Sequence, residues 1–483
     1  MEHFRRLGIS DLIRQQGRPQ GFCTDAVFIT RVNGFELSRV DIPPIDRYPD
    51  RNSPETKQTP EPMRWANQIY VEAALKGHLE TLDQADVRYG WRLNGFSDGG
   101  DGVTAEIEEI ATGKTENVTC DYLVGCDGGN SIVRRSLGIK YQGESGADVD
   151  FMMGRMLAIY YHAPGLYDVM PYDEPWQQQS MNPGGRASII ALNGEGHFLT
   201  HAKLKPGEDP DKLDMRKFMY GIIGEEIPVR IIETKPWMAG LSLLAESYQK
   251  GRVLMAGDTI HLFTPTGGFG MNIGVDDAAN LGWKLAAAHR GFAGDRLIDT
   301  YEIERRPIGK RNLAQSFAFA DAKAHLTVPP NIEDDTPEAE KVRAELGRVM
   351  RDLLAEEFLA IGIQLSARYD GSPLIIGDGT TAPEDKPFVY MPSACPGGRA
   401  PHAWLDDDTP LFDHFGKWFT LPNFCDDVLN FDQAADALNI PLGIRKSMIL
   451  KSGICMRRTM SSSGQINMLP DGEIKFLMIP VRS

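Results

Sequence analysis

The chain has 483 residues and a formal net charge of −16, with 42% hydrophobic and 24% charged residues. This length is too great for one hydrophobic core and predicts two or three domains, and the acidic balance disfavours a nucleic-acid partner. No apolar run reaches the ~20 residues of a membrane-spanning helix, and the first residues lack the apolar segment of a secretion signal.

The first half of the chain predicts short helices and then strands. Apolar residues from Phe4 to Ile13 recur at near-helical spacing and predict an opening helix with no strand before it. A second helix is predicted from about Met63. Residues 85–123 read as short strands separated by a glycine-rich turn, and residues 151–250 alternate polar and apolar side chains. That alternation is typical of an antiparallel sheet with one face in water.

The second half is richer in helix. Residues 273–325 are predicted to be helical, apart from a break near Pro307. Thr336 and Pro337 read as an N-cap and a first-turn proline, so another helix should begin there. A small separate unit, dense in Pro, Gly and Asp, is predicted from about Tyr369.

The segment Gly251–Leu285 has the strongest chemical signal. A short buried-strand pattern ends at Gly257-Asp258, where a strand gives way to a loop, and a carboxylate in that place commonly binds a sugar hydroxyl. Four residues of the following loop favour a close backbone approach to a ligand: Pro265, Gly267, Gly268 and Gly270. The next helix can present its first N–H groups to the same ligand. A glycine-rich turn without a ligand is the alternative, but the length and order of the combination favour a cofactor site.

This segment resembles the second FAD motif, GD…P..G.G.N..…DA.NL.WKL, of the class A flavin monooxygenases. That family includes p-hydroxybenzoate hydroxylase, phenol hydroxylase, dichlorophenol hydroxylase and the polyketide hydroxylases. The resemblance implies that Asp258 binds the ribityl chain and that Pro265 lies beside the flavin ring. His261 also matches a histidine common in the motif, and a packed structural role is favoured for it over that of a catalytic base. The cofactor-binding residues implied on this segment are Gly257, Asp258, Pro265, Gly267, Gly268, Gly270, Met271 and Asn272.

Two further segments are similar to motifs of the same family. DYLVGCDGGNSIVRRSLGI reads as a strand, then Asp127-Gly128, then a helix with Arg134, and it resembles the motif that contacts FAD and NAD(P)H. Taken alone, it could equally be an ordinary strand-end turn. In RWANQIYVE, Gln68 resembles a glutamine that touches the pyrophosphate and ribityl region, and a polar residue on a half-buried helix is an equally good explanation.

The resemblance implies a mixed α/β (α+β) fold like that of p-hydroxybenzoate hydroxylase, with an antiparallel substrate sheet and a C-terminal thioredoxin-like domain. The implied segments are 1–150, the FAD-binding domain, incomplete at its N-terminus; 151–250, the substrate sheet; 251–325, the second part of the FAD-binding domain; 326–368, a helical connector; 369–442, the thioredoxin-like domain; and 443–483, an aberrant tail.

The implied function is a monooxygenase that uses FAD, NAD(P)H and O₂ to hydroxylate a small aromatic, phenolic substrate. No catalytic base can be assigned, because the candidates are each better explained as sheet residues: Tyr160, Tyr161, His162 and His197. The six cysteines form no CxxC pair, which disfavours metal binding, leaves the C-terminal domain a structural or oligomeric role, and fits a cytoplasmic protein. A homodimer stays open. A non-catalytic remnant and a related FAD-dependent reductase or halogenase are the alternatives.

Both ends of the sequence differ from the family pattern. No GxGxxG motif occurs. The sequence from Met1 resembles the segment that follows the first βαβ unit in the family, so a unit on the order of 30 residues is expected to be missing. After Leu442 the strand pattern is lost. When the reading frame is shifted by one base, the permitted codons from Arg445 to Leu469 include a sequence that resembles the family's C-terminal segment. We therefore expect a mis-assigned start or a truncated gene, together with a frameshift near residues 443–445.

Overall fold

The structure is a computed structural model that describes residues 1–19, 21–42, 55–145, 154–293, 295–422 and 431–445. The α-helices of this part are, in chain order, α1 (Glu2–Arg6), α2 (Ser10–Arg14), α3 (Gln68–Leu79), α4 (Ile132–Ser136), α5 (Met215–Ile223), α6 (Phe269–His289), α7 (Asp295–Ala324), α8 (Pro337–Phe358), α9 (Ile361–Leu365) and α10 (Phe431–Ala437). The strands are β1 (Ala26–Ile29), β2 (Glu36–Val40), β3 (Trp91–Asp98), β4 (Val103–Glu109), β5 (Thr115–Cys120), β6 (Leu123–Gly125), β7 (Tyr141–Ser145), β8 (Gly154–His162), β9 (Gln177–Asn182), β10 (Gly185–Ala191), β11 (His197–Lys203), β12 (Arg230–Ala239), β13 (Leu241–Ala245), β14 (Gln249–Lys250), β15 (Val253–Met255), β16 (His261–Leu262), β17 (Phe419–Pro422) and β18 (Leu442–Arg445).

A seven-stranded sheet is the largest element, with strand order β12-β8-β11-β10-β9-β1-β2. Strand β11 alternates strictly between buried and half-buried residues, as expected for a sheet with two different faces. One face packs against α5 through a core that includes Tyr161, Phe198 and Met219. The strands within residues 151–250 pair antiparallel, as predicted, but β1 and β2 also join this sheet, and β1 runs parallel to β9. The N-terminal segment therefore contributes two short helices, α1 and α2, and also two strands of the large sheet.

Three three-stranded sheets of the described chain lie outside the seven-stranded sheet. Strands β3, β4 and β5 make an antiparallel meander, and β7 pairs with β13, which pairs with β16. The third sheet places β15 between β14 and β6, and β15 and β6 are parallel. The core around β15 brings together Val253, Met255, Leu281 and Tyr301, so α6 and α7 cover this sheet.

Two helix boundaries differ from the sequence predictions, and a third agrees with them. The opening helix is two short helices, because Gly8 adopts a left-handed conformation with φ +77° between α1 and α2. Helix α3 begins at Gln68 rather than near Met63, and the Asn67 side chain caps it by accepting from the N–H of Ile69 at 3.0 Å. Thr336 caps α8 as predicted, accepting from the N–H of Ala339 at 3.2 Å.

Helix α7 continues through Pro307, so the predicted break is wrong. Proline removes one backbone donor and leaves the carbonyl four residues earlier, that of Ile303, without its helical partner. The Ile303 side chain is 42% exposed, so this side of the helix faces water. Helix α7 packs against β13 and β15 through Ile298 and Tyr301, and tertiary packing of this kind overrides local propensity.

The last described segments contain a parallel pair, β17 and β18, with α10 between them in sequence. The predicted thioredoxin-like fold of this region stays a prediction, and the aberrant tail lies outside the described residues from position 446 onward. Within the described chain, no helix combines the length and the apolar character that a membrane span requires.

Candidate functional site

The two strongest motifs meet at neighbouring strand ends. Parallel pairing places Met255 of β15 opposite Gly125 of β6, so Asp258 and Asp127 follow adjacent strands at the same edge of the sheet. The Thr259 hydroxyl joins them, because it lies 3.3 Å from Oδ1 of Asp127 and accepts from the Gly128 N–H at 3.2 Å. Carboxyl ends of adjacent parallel strands are where open α/β sheets bind ligands.

Asp127 works as a local cap. Its Oδ2 accepts from the N–H groups of Ile132 and Val133 at 2.7 and 3.3 Å, which satisfies the first turn of α4. Burial opposes ionisation of this carboxyl, but the hydrogen bonds from Ser131 and the backbone prevail and lower its pKa. Asp127 therefore stays ionised and holds the loop after β6 in place.

Arg134 lies under this loop rather than in solvent. Its guanidinium donates to the carbonyls of Ile139 at 3.0 Å and Gly129 at 3.4 Å, and its Cζ lies 3.8 Å from the centroid of the Tyr141 ring. The Tyr141 hydroxyl in turn donates to the Asp258 carbonyl at 2.9 Å. Arg134 thus supports the backbone of both motifs, and its predicted contact with the cofactor stays a prediction.

Asp258 presents a carboxylate at the surface. The side chain is exposed and accepts no hydrogen bond from the described residues, whereas the backbone on either side is fixed. The N–H of Gly257 donates to Asp277 on α6 at 3.2 Å, and Gly257 itself has φ +62°. A carboxylate that is rigidly placed and still open to a ligand is suited to bind hydroxyl groups.

The loop Thr264–Gly268, which we call the glycine loop, is hydrogen-bonded to α7 on one side and leaves space for a ligand beside Gly268. Gly267 and Gly268 have φ values of +77° and +63°, a region that disfavours other residues. A Cβ on Gly267 would lie 2.7 Å from the Phe269 ring, whereas one on Gly268 or Gly270 would meet no atom of the described residues within 4 Å. Behind the loop, Ser316 of α7 is hydrogen-bonded to the hydroxyls of Thr264 and Thr266.

Helix α6 starts directly after this loop and leaves its first turn available. Among the described residues no side chain caps it; instead the Asn272 amide donates to the Gly268 carbonyl at 2.8 Å. The first N–H groups of the 21-residue helix, Met271 among them, point toward the loop end and favour an electron-rich ligand edge. The open glycine loop, the free carboxylate of Asp258 and this helix end fit the predicted flavin.

Gln68 stands at the start of α3, exposed, with its amide donating to Glu72 at 2.5 Å. Helix α3 packs on α6 in a small core that contains Val71, Met271 and Val275. The structure therefore places the third predicted segment beside the start of α6, and the predicted contact of Gln68 with the cofactor stays a prediction.

Behind the site lies a polar cluster that sequence reasoning did not single out. We call it the α6–α7 ladder, and its members are Asp277, Asn280, Lys284, Glu304 and Arg305. Arg305 Nε donates to Asp277 at 2.8 Å, and Lys284 Nζ and the Asn280 amide both lie 2.7 Å from Glu304 Oε2. The three α6 residues stand three and four positions apart, so the spacing in DDAANLGWK was a usable signal for one polar helix face.

Asp277 joins the ladder to the site. It accepts from the Gly257 N–H and lies 2.6 Å from Nε2 of His261, which is fully buried as expected for a structural residue. Burial disfavours the charged form, but His261 and Arg305 outweigh it and lower the pKa of Asp277. Burial lowers the pKa of Lys284 to about 8 despite the opposing effect of Glu304.

The face of the large sheet opposite α5 carries the unassigned polar candidates. Tyr160, His162 and His197 are partly exposed neighbours, and the His162 and His197 rings lie 4.6 Å apart. His201 packs edge-on against Trp237 at 5.5 Å, and burial lowers its pKa to about 4. The geometry selects no catalytic base among them.

The chain matches known proteins over most of its length. A model of the FAD binding domain family matches residues 1–316. The chain is 29% identical over 448 residues to the FAD-dependent monooxygenase apdD of Emericella nidulans, covering 88% of this chain and 71% of that protein. It is 31% identical over 368 residues to a 4-methyl-5-nitrocatechol 5-monooxygenase of a Burkholderia species, covering 73% and 62%. The solved structure of RebC with bound 7-carboxy-K252c superposes with a TM-score of 0.80 at 32% identity, covering 92% of this chain and 81% of that one.

Proposed function

We propose, because this chain belongs to the FAD binding domain family of flavin-dependent aromatic monooxygenases, that its residues hold FAD at the edge formed by β6, β15 and α6. The observation that carries the proposal is the convergence of an open glycine loop, an uncapped helix start and the free Asp258 carboxylate. The fold is that of the p-hydroxybenzoate hydroxylase type, and the chain is an oxidoreductase.

Each predicted residue has a distinct part in this proposal. The Asp258 carboxylate would accept hydrogen bonds from the ribityl hydroxyls, and the Met271 and Asn272 N–H groups would donate to the pyrimidine edge of the ring. Pro265, Gly267, Gly268 and Gly270 would let the ring approach the backbone. Gln68, Gly128 and Arg134 would border the phosphate side, and Asp127 and Gly257 would keep the two strand ends in place.

The reaction consumes an aromatic ring C–H, O₂, NAD(P)H and a proton, and it yields the ring hydroxyl, NAD(P)⁺ and water. FAD supplies the redox chemistry when it is bound. The chain's own part is to orient the ring and to exclude water, and the seven-stranded sheet would form the substrate wall. A phenolic substrate, O₂ as the oxidant and a cytoplasmic location complete the proposal; the free cysteines of the described chain support the last of these.

The alternatives make different predictions. A non-catalytic remnant would bind no flavin, and a reductase or halogenase would not add oxygen to a phenol. The relatives named above are monooxygenases, which favours hydroxylation.

The sequence left a homodimer open, and light scattering of the purified protein measures the assembly directly.

Flavin binding is tested first. The purified chain should show a flavin absorbance spectrum, and Asp258→Asn should raise the dissociation constant for FAD by about 10- to 100-fold, the factor expected for hydrogen bonds to a charged group. Asp211→Asn, an exposed carboxylate in the loop before α5, should leave that constant unchanged. Absence of flavin binding by the unaltered chain would refute the proposal.

Hydroxylation is tested next. Oxidation of NAD(P)H should accelerate with a phenolic substrate, and the product should contain one oxygen atom from ¹⁸O₂ by mass spectrometry. Accelerated oxidation with hydrogen peroxide as the sole product would contradict hydroxylation.

A further inference from the structure

A buried carboxylate from α8 reaches the back of the glycine loop. The N–H of Gly267 donates to Oε1 of Glu357 at 3.0 Å, and Nζ of Lys323 lies 2.5 Å from Oε2 of the same residue. The side chains of Lys323 and Glu357 are only 6% and 9% exposed. These three residues come from the glycine loop, the end of α7 and the end of α8, so the contact joins three separate elements.

The position of Glu357 is unfavourable unless it is compensated. It stands in the last turn of α8, where the helix dipole is negative and repels an anion. A buried ion pair is also seldom more stable than well-packed apolar residues of the same volume. Stability alone therefore does not explain the pair. What the carboxylate does provide is a fixed acceptor for one loop N–H.

The glycine loop depends on such an acceptor. Gly267 and Gly268 both lie in the left-handed region, where glycine can leave for other conformations without a steric barrier. Ser316 fixes the first part of the loop through Thr264 and Thr266, and its contacts end before Gly267. Glu357 is therefore the second anchor.

Helix α8 extends this anchor to the substrate sheet. The ring of Phe358, the residue after Glu357, packs edge-on against the Trp176 ring, with 6.3 Å between the two ring centroids. Trp176 directly precedes β9. Further along α8, Gly347 packs so tightly on β2 that a Cβ there would lie 1.9 Å from the Leu37 carbonyl oxygen. The helix that carries Glu357 is thus docked on β2 and on the residue that leads into β9.

We propose that Glu357 is a positioning residue that holds the glycine loop in one conformation relative to the substrate sheet, with Lys323 keeping its carboxylate in place. Its effect on hydroxylation rests on the proposed function, because the loop is where the flavin ring would lie. The hydrogen bond itself is a property of the chain and does not require a cofactor.

Two double variants isolate the hydrogen bond from the charge. Glu357→Gln with Lys323→Met removes both charges and keeps a carbonyl acceptor for Gly267, whereas Glu357→Leu with Lys323→Met removes the acceptor as well. In the flavin-free protein, hydrogen–deuterium exchange of peptides covering residues 263–269 should be about fivefold faster in the Leu variant than in the Gln variant, the factor one ordinary hydrogen bond supplies. Equal exchange in the two variants overturns the proposal.

The control pair is Lys284→Met with Glu304→Gln, which removes another buried ion pair away from the loop and should leave this exchange unchanged. If it accelerates loop exchange equally, Glu357 has no specific role. With flavin and substrate present, the Leu variant should divert NAD(P)H oxidation to hydrogen peroxide, and the Gln variant should stay coupled. Should the unaltered chain bind no FAD, the proposed function fails, while the exchange measurement still decides the role of Glu357.

Discussion

Asp277→Asn should destabilise the protein far more than Asp276→Asn, although the two residues are adjacent and both bind Arg305. The Asp277 side chain is 1% exposed and Arg305 is fully buried, whereas Asp276 is 25% exposed. Removing one partner of a fully buried pair costs about 3–5 kcal/mol, because the remaining charge stays buried. A solvent-screened partner contributes about 1 kcal/mol.

The free energy of unfolding from urea titrations, followed by tryptophan fluorescence, measures this difference. The titrations belong near neutral pH: Asp277 has a lowered native pKa, so its contribution is present above the unfolded carboxyl pKa and is lost as the pH falls through the native value. Asp277→Asn should also weaken FAD binding, because Asp277 orients the Gly257 N–H beside Asp258. Losses within about 1 kcal/mol of each other for the two variants would refute the reasoning.

Three further predictions follow from burial and backbone geometry. The pKa of His201, about 4 against 6.5 when unfolded, means that its contribution to stability is present above pH 6.5 and is lost as the pH falls toward 4. His201→Gln should therefore reduce the loss of unfolding free energy between pH 7 and pH 5 by about 2 kcal/mol, and an unchanged slope in urea titrations contradicts this. Gly267→Ala should cost about 1–3 kcal/mol more than Gly268→Ala in thermal unfolding, because both strain the backbone but only the first clashes with the Phe269 ring; equal losses would exclude the clash. Glu304→Gln should cost about 3–5 kcal/mol and addition of Lys284→Met should recover most of it, whereas additive losses would show that the pair is not coupled.

The large sheet illustrates how far the sequence pattern reaches. Alternation along residues 151–250 predicted antiparallel strands, and β8 to β12 pair in that way. The same pattern could not predict that β1 and β2 complete the sheet, since a four-residue strand has the same period whether it joins one sheet or another. Pro307 was misjudged for a related reason: propensity is local, and packing of α7 on its neighbours overrides it.

The candidate site shows the same difference between what a local sequence pattern predicts and what tertiary packing decides. Glycines, Asp258 and Asp127 were recognisable because left-handed backbone and strand-end carboxylates require particular residue types at short spacings. The sequence by itself thus determined the family and the cofactor, and it predicts the loop that would face that cofactor. Tertiary structure alone decided which residues hold the glycine loop, namely Ser316 and Glu357, and which hold the backbone at Gly257, namely Asp277 with Arg305 behind it. These residues lie 20 to 90 positions from their partners. A hydrogen bond depends on distance in space, and the spacing of residues along the chain does not show that distance for partners so far apart in sequence.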